Sequence, residues 1–135
     1  MTDYATLLQK NGLKATFQRI NILASIEKNG HMNIDDIYAK VIKMHASLSL
    51  ATIYKNITLM VKNTVLVEVP IDGKKSKYEL AKNDHIHLIC TKCGSVEDRE
   101  HPKHMLTTFT CMTKEEKFKL VKQQINLYGV CQECI

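Results

Sequence analysis

The sequence predicts an α+β protein, on three observations. Apolar residues recur at helical spacing through the first sixty residues, the period then shortens to that of strands, and two C-x-x-C pairs bracket the final third. A length of 135 residues suits one ordinary domain or two small ones, and a hydrophobic fraction of 44% is that of a globular protein. No run approaches the roughly 20 apolar residues of a membrane span. The start "MTDYATLLQKNG" has the features of neither a signal peptide nor an Arg-rich transit sequence. The expectation is therefore a cytoplasmic protein with no membrane partner.

Each element has a local reason. Ile20, Ile22, Leu23 and Ile26 form a helical stripe that ends at "KNG", where Gly30 supplies a cap. Asn33 is a good N-cap for a second helix carrying Ile34, Ile37, Tyr38, Val41 and Ile42. A third helix starts after Ser47 or Ser49 and carries Leu50, Ile53, Tyr54, Ile57 and Met60 at helical spacing. "VLVEV" and "KSKYEL" are short β-prone runs on either side of "PIDGK", whose Asp72-Gly73 is a turn signal, so a hairpin spans about Val65 to Leu80. Three helices and a hairpin make a winged helix-turn-helix over residues 1–80. A small helical bundle with a hairpin attached satisfies the same pattern.

"AKND", residues 81–84, is polar and unperiodic and reads as a hinge. Beyond it, residues 85–135 read as a strand from His85 to Cys90, a knuckle at Cys93-Gly94 and a strand from Val96 to Arg99. A helix through Met105, Leu106, Phe109 and Met112 follows, and then a long last strand, "FKLVKQQINLYGVC".

Five cysteines in a cytoplasmic chain point to metal rather than to disulfides, because thiols there are kept reduced. Cys90, Cys93, Cys131 and Cys134 are the donor set of a tetrahedral structural Zn²⁺ site. The spacer of about forty residues exceeds a common zinc ribbon, so a folded unit must return the second pair to the first. An iron-sulfur or rubredoxin-like iron site and a redox dithiol are the alternatives. Cys111 lies among apolar helix positions and reads as a small buried hydrophobe outside the cage.

Strand alternation separates that cage from a second candidate site, since His85 and His87 share one face of their strand and Cys90 takes the other. Spacing supports only these two histidines. Possible partners are Glu79, Asp98 and His31, which together would make an N/O site suited to Fe²⁺, Mn²⁺, Zn²⁺ or Co²⁺. His45, His101 and His104 read as surface residues. The net charge of +5 is modest and does not by itself imply a nucleic-acid partner.

"GLKATFQR", "HMNIDDIY", "SLATIYKNI", "DHIHLICTKCGSVED" and "LYGVCQEC" together resemble the Fur superfamily of metal-dependent repressors, in order and spacing, over nearly the whole chain. The resemblance implies an N-terminal winged helix, a C-terminal α/β dimerisation domain, structural zinc on the four cysteines and a regulatory metal, Fe²⁺ or Mn²⁺, on His31, Glu79, His85, His87 and Asp98. Asp98 and "DHIH" resemble the peroxide-sensing PerR branch, whereas Glu79 resembles the iron-sensing Fur branch. A further Fur-type site uses a histidine where this chain has Gln123, and the family's T-P-Q-R is here Thr16-Phe17-Gln18-Arg19.

The resemblance also implies a homodimer on double-stranded operator DNA, with the helix from Leu50 in the major groove. Ala51 and Thr52 are placed to meet thymine methyl groups, Tyr54 and Lys55 bases or phosphates, and Lys14, Thr16 and Arg19 the backbone. Lys74, Lys75 and Lys77 in the hairpin turn are further candidates for phosphate contact. The peroxide-sensing repressor is the preferred reading, an iron-responsive repressor the alternative. A zinc hydrolase is the rival of a different class, but the sequence shows no dedicated acid or base for it.

Overall fold

The computed structural model describes residues 2–135 and divides into two compact units, one running to Ala81 and the other from Lys82 to Ile135. The first contains α1 (Tyr4–Lys10), α2 (Phe17–Asn29), β1 (Met32–Asn33), α3 (Ile34–Val41), α4 (Leu50–Lys62), β2 (Leu66–Val69) and β3 (Lys77–Leu80). The helices start where short polar side chains meet the unpaired N–H groups of a first turn. Asp3 accepts from Thr6 N–H, Thr16 from Arg19, Asn33 from Asp36 and Ser49 from Thr52. Phe17, standing where the family has proline, is the first residue of α2, so the change leaves the helix start in place. Gly30 closes α2 with φ of 82° and donates its N–H to Ile26.

The three-residue periodicity of α2, α3 and α4 becomes one core: Ile22, Leu23, Ile26, Ile37, Val41, Ile53, Ile57 and Met60 are all buried, with Leu8 of α1 among them. β2 and β3 form the expected hairpin, in register Leu66 with Leu80 and Val69 with Lys77. The short β1 adds to the far side of β3, pairing Met32 with Tyr78, so the sheet order is β1-β3-β2. This is a winged helix.

The second unit contains β4 (His85–Cys90), β5 (Val96–Glu100), α5 (Lys103–Glu115) and β6 (Ile125–Gly129). β4 is the central strand, antiparallel to β5 and parallel to β6. Two expectations fail here. The last strand is five residues long, not the whole of Phe118 to Cys131, because only Ile125–Gly129 lie alongside β4. Cys111 is exposed, because α5 buries none of its residues within this chain. No helix among the described residues is long and apolar enough to cross a membrane.

Ser49→Ala removes the cap of α4 and is expected to destabilise the protein by about 1 kcal/mol. Urea denaturation checks this, as a lower midpoint at unchanged slope.

Candidate metal centres and nucleic-acid surface

The cysteine quartet is assembled by strand ends. Cys90 ends β4, and its register partner is Gly129, two residues before Cys131. Gly94, with φ of 77°, turns the first knuckle and donates to the Cys90 carbonyl at 2.9 Å; Cys134 N–H closes the second on Cys131 at 3.0 Å. The four sulfurs lie within 4.8 Å of one another, and Cys93 and Cys131 Sγ are 3.8 Å apart. Zn–S bonds of about 2.3 Å set sulfurs about 3.8 Å apart on a tetrahedron, so the quartet fits zinc in donor type and size. Backbone N–H groups of Cys93 and Cys131 point at Cys90 Sγ from 3.5 and 3.4 Å and hold its thiol down at about 6. Hydrogen bonding to Cys131 pushes the Cys134 thiol up to about 12, so these groups divide the protons of a shared site.

The second site is built across β4 by register. His87 pairs with Asp98 of β5 on one side and with Asn126 of β6 on the other, so three polar side chains fall in one row across the sheet. His85 and His87 Nε2 lie 2.9 Å apart, and both approach Asp98 Oδ1, at 3.3 and 3.6 Å. Their other ring nitrogens face oxygens: His85 Nδ1 lies 2.9 Å from the Asn83 carbonyl and His87 Nδ1 2.9 Å from Asn126 Oδ1. Both imidazoles can thus donate from Nδ1 and offer an Nε2 lone pair, the arrangement that metal-binding histidines adopt. Two nitrogens at adjacent octahedral positions, with bonds of about 2.1 Å, would sit about 3 Å apart, which matches the observed spacing. Lys82 Nζ contacts the other Asp98 oxygen at 2.5 Å.

In the first unit, the pairing of Met32 with Tyr78 brings His31 beside Glu79. His31 Nε2 and Glu79 Oε2 are 2.7 Å apart, and Glu79 is buried. A carboxylate out of water requires a compensating partner, and an imidazole or a cation is suited to that place.

On α4, Ile53 and Ile57 are in the core while Ala51, Tyr54 and Lys55 are exposed. Thr52 bonds Ser49 through its N–H and its hydroxyl. Lys14 is exposed, and the Thr16 hydroxyl is engaged as a cap. Arg19 is tied within the unit, its Nε donating to Asn56 Oδ1 at 3.1 Å and its Nη1 to the Lys14 carbonyl at 2.9 Å. That fixes the loop before α2 against α4 and shows Asn56 as a residue that sequence reading missed. In the wing, Lys75 pairs with Asp35 at 2.6 Å, and burial followed by the Glu68 charge pushes the Tyr78 phenol up to about 12. Asn126 was also missed, since only the parallel register of β6 reveals it. His45 is not a plain surface histidine: its Nε2 lies 2.7 Å from Asn21 Nδ2 and its ring stands edge-on to Phe17.

A winged helix joined to an α/β unit with a four-cysteine cage and a histidine–carboxylate site defines a class, the metal-dependent transcriptional regulators. Within that class the chain matches the Ferric uptake regulator (FUR) family over residues 10–134, and it belongs to that family. A ferric uptake regulation protein of Bordetella parapertussis is 34% identical over 137 residues, covering 99% of this chain and 97% of that protein. The crystal structure of the Campylobacter jejuni peroxide stress regulator superposes with a TM-score of 0.79 at 31% identity, over 98% of this chain and 100% of that one. A ferric uptake regulator from Pseudomonas aeruginosa with manganese gives a TM-score of 0.79 at 26% identity, covering 98% and 99%. The chain is therefore a metal-dependent regulator of the Fur family, whose members regulate transcription and are not enzymes.

Cys131→Ser is expected to abolish tight zinc retention and to unfold the second unit, because a structural metal's binding energy is folding energy. Zinc content per chain, with mass in solution, checks this; a zinc-free protein of unchanged fold and mass would contradict it.

Proposed function

We propose that the protein is a homodimeric repressor that binds double-stranded operator DNA in the cytoplasm and releases it when peroxide oxidises a regulatory-site histidine. Structural zinc is held by Cys90, Cys93, Cys131 and Cys134. Regulatory Fe²⁺ or Mn²⁺ is held by His31 and Glu79 from the first unit together with His85, His87 and Asp98 from the second. The observation that carries the reading is the pair of imidazoles turned with both Nε2 atoms toward Asp98. A ligand set drawn from both units gives metal a way to act on DNA affinity, because it ties the DNA-binding unit at one angle to the dimer. Such couplings are typically about 1–3 kcal/mol.

Dimerisation is supported by what the second unit leaves uncovered. Its buried apolar residues are Ile86, Ile89 and Cys90, while Leu106 and Met112 of α5 and Leu127 and Tyr128 of β6 are each about half exposed. A unit this small buries too little to stand alone, and a second copy would cover these residues. DNA binding is supported by α4, whose exposed face carries Ala51, Tyr54 and Lys55, and by Lys75 of the wing, which lines one cleft with Ala51 and Tyr54. Two such helices reach successive major grooves about 34 Å apart only in a dimer. Lys14, Thr16 and Arg19 serve the backbone, with Thr16 and Arg19 acting through the loop that they brace.

His31, Glu79, His85, His87 and Asp98 would hold the ion, which as Fe²⁺ would supply one-electron chemistry toward peroxide. Fe²⁺ would lend peroxide an electron that Mn²⁺ does not readily give and regain one as the ring is oxidised, so that imidazole C–H and hydrogen peroxide become imidazole C–OH and water. The resemblance to the peroxide-sensing branch makes His31 and His85 the histidines open to this oxidation, and a histidine so modified would coordinate poorly. The iron-responsive reading is favoured by one observation, Glu79, which resembles the Fur branch.

Two sets of outcomes follow. Lys55→Ala is expected to weaken specific and non-specific DNA alike and to lower the salt slope by about 1, whereas Tyr54→Phe weakens the preferred operator selectively. Fluorescence anisotropy across a salt series separates them. With Fe²⁺, peroxide is expected to release DNA and to add roughly 16 Da to a peptide carrying His31 or His85, the increment of one oxygen atom also seen in methionine sulfoxide. With Mn²⁺ at the same peroxide level the complex persists. Oxidation confined to methionine or cysteine, with DNA still bound, would assign the protein to the iron-responsive branch.

A further inference from the structure

The two histidines of β4 are oriented by different means. His85 Nδ1 faces a backbone carbonyl, that of Asn83, which no side-chain substitution removes. His87 Nδ1 faces a side chain, Asn126 Oδ1, at 2.9 Å. His87 is 1% exposed, so bulk water is not at hand to take that place, and a buried ring nitrogen left without a partner is costly. The approach is set by the fold, since the parallel register of β6 makes Asn126 the direct neighbour of His87 on the strand opposite to Asp98.

We infer that Asn126 is a positioning residue of the regulatory site, holding His87 in the Nδ1–H tautomer so that Nε2 is available to the metal. The inference rests on the reading of His87 as a ligand. Asn126 never touches the ion and acts through the imidazole. An amide oxygen orients the ring as a carboxylate would, but it adds no negative charge and makes the ring a weaker donor. The acidic groups of the proposed ligand set are then Glu79 and Asp98 alone, and the ion is held less tightly than a carboxylate at 126 would hold it. A sensor that must load and unload its metal requires such tempering.

The test uses full-length protein with zinc retained in the cysteine cage. In protein lacking a regulatory metal, ¹⁵N NMR of labelled histidine is expected to show His87 protonated at Nδ1. Asn126→Leu, close in size but without an acceptor, should shift the ring toward the Nε2–H tautomer and weaken Co²⁺ binding by about 10- to 100-fold. Asn126→Asp, which restores the acceptor, should return the tautomer and bind Co²⁺ at least as tightly as the parent. An unchanged tautomer and affinity in Asn126→Leu would overturn the inference, as would equal loss of Co²⁺ in both variants, which would mark Asn126 as merely a packing residue. His87→Ala separates the two levels of the argument. If it keeps the parent's Co²⁺ affinity, the ligand reading itself falls, and the inference with it; if it loses Co²⁺ while Asn126→Leu does not, only the inference falls.

Discussion

The register of β4 is the constraint on which the second unit depends. Pleating sends alternate side chains to opposite faces, so one six-residue strand carries His85 and His87 toward one site and ends on Cys90 in another. Pairing with β5 and β6 then completes both. His87 meets Asp98 and Asn126, and Cys90 meets Gly129, which delivers Cys131. A slip of one residue in either neighbour would turn its side chains to the wrong face. Asp98 or Asn126 would leave the histidines, and the second cysteine pair would miss the first. Hard and soft metal chemistry are kept apart in this small unit by backbone geometry.

Energetically that unit is thin. Ile86 and Ile89 are its large buried aliphatic side chains, each worth about 1.5–3 kcal/mol. A structural zinc on four thiolates is worth about 10–16 kcal/mol in small domains, which exceeds both together. The metal does the work that a larger core does elsewhere, and the exposed apolar residues of α5 and β6 remain available to a partner. The threonines of α5 suit such a role. Thr107, Thr108, Thr110 and Thr113 return their hydroxyls to carbonyls four residues back, so covering them would leave no unpaired O–H.

The first unit reverses these proportions. Its core of buried aliphatic residues from four helices and the hairpin requires no metal, and it fixes α4 so that Ile53 and Ile57 face inward while Tyr54 and Lys55 face out. Arg19 and Asn56 brace α2 and its preceding loop against α4. Among the described residues, the carboxylate placed in its interior is Glu79, matched by His31 through the addition of β1 to the sheet.

What the sequence determined by itself is what depends on near neighbours. Helical stripes, the caps Asn33, Ser49 and Gly30, the Asp72-Gly73 turn and the C-x-x-C spacing are local signals, and α2, α3, α4, the hairpin and the two separate cysteine knuckles follow from them. The short β1, the trimming of the last strand to Ile125–Gly129, the exposure of Cys111, the engagement of Arg19 by Asn56 and the approach of Asn126 to His87 were decided only by the tertiary structure. Each depends on which residue a distant segment brings alongside. β6 returns to β4 across a helix and a long connection, and nothing local to Asn126 specifies that its neighbour will be a histidine 39 positions earlier. Period and capping are written residue by residue, whereas the register between strands far apart in the chain is settled by the packing of the whole unit.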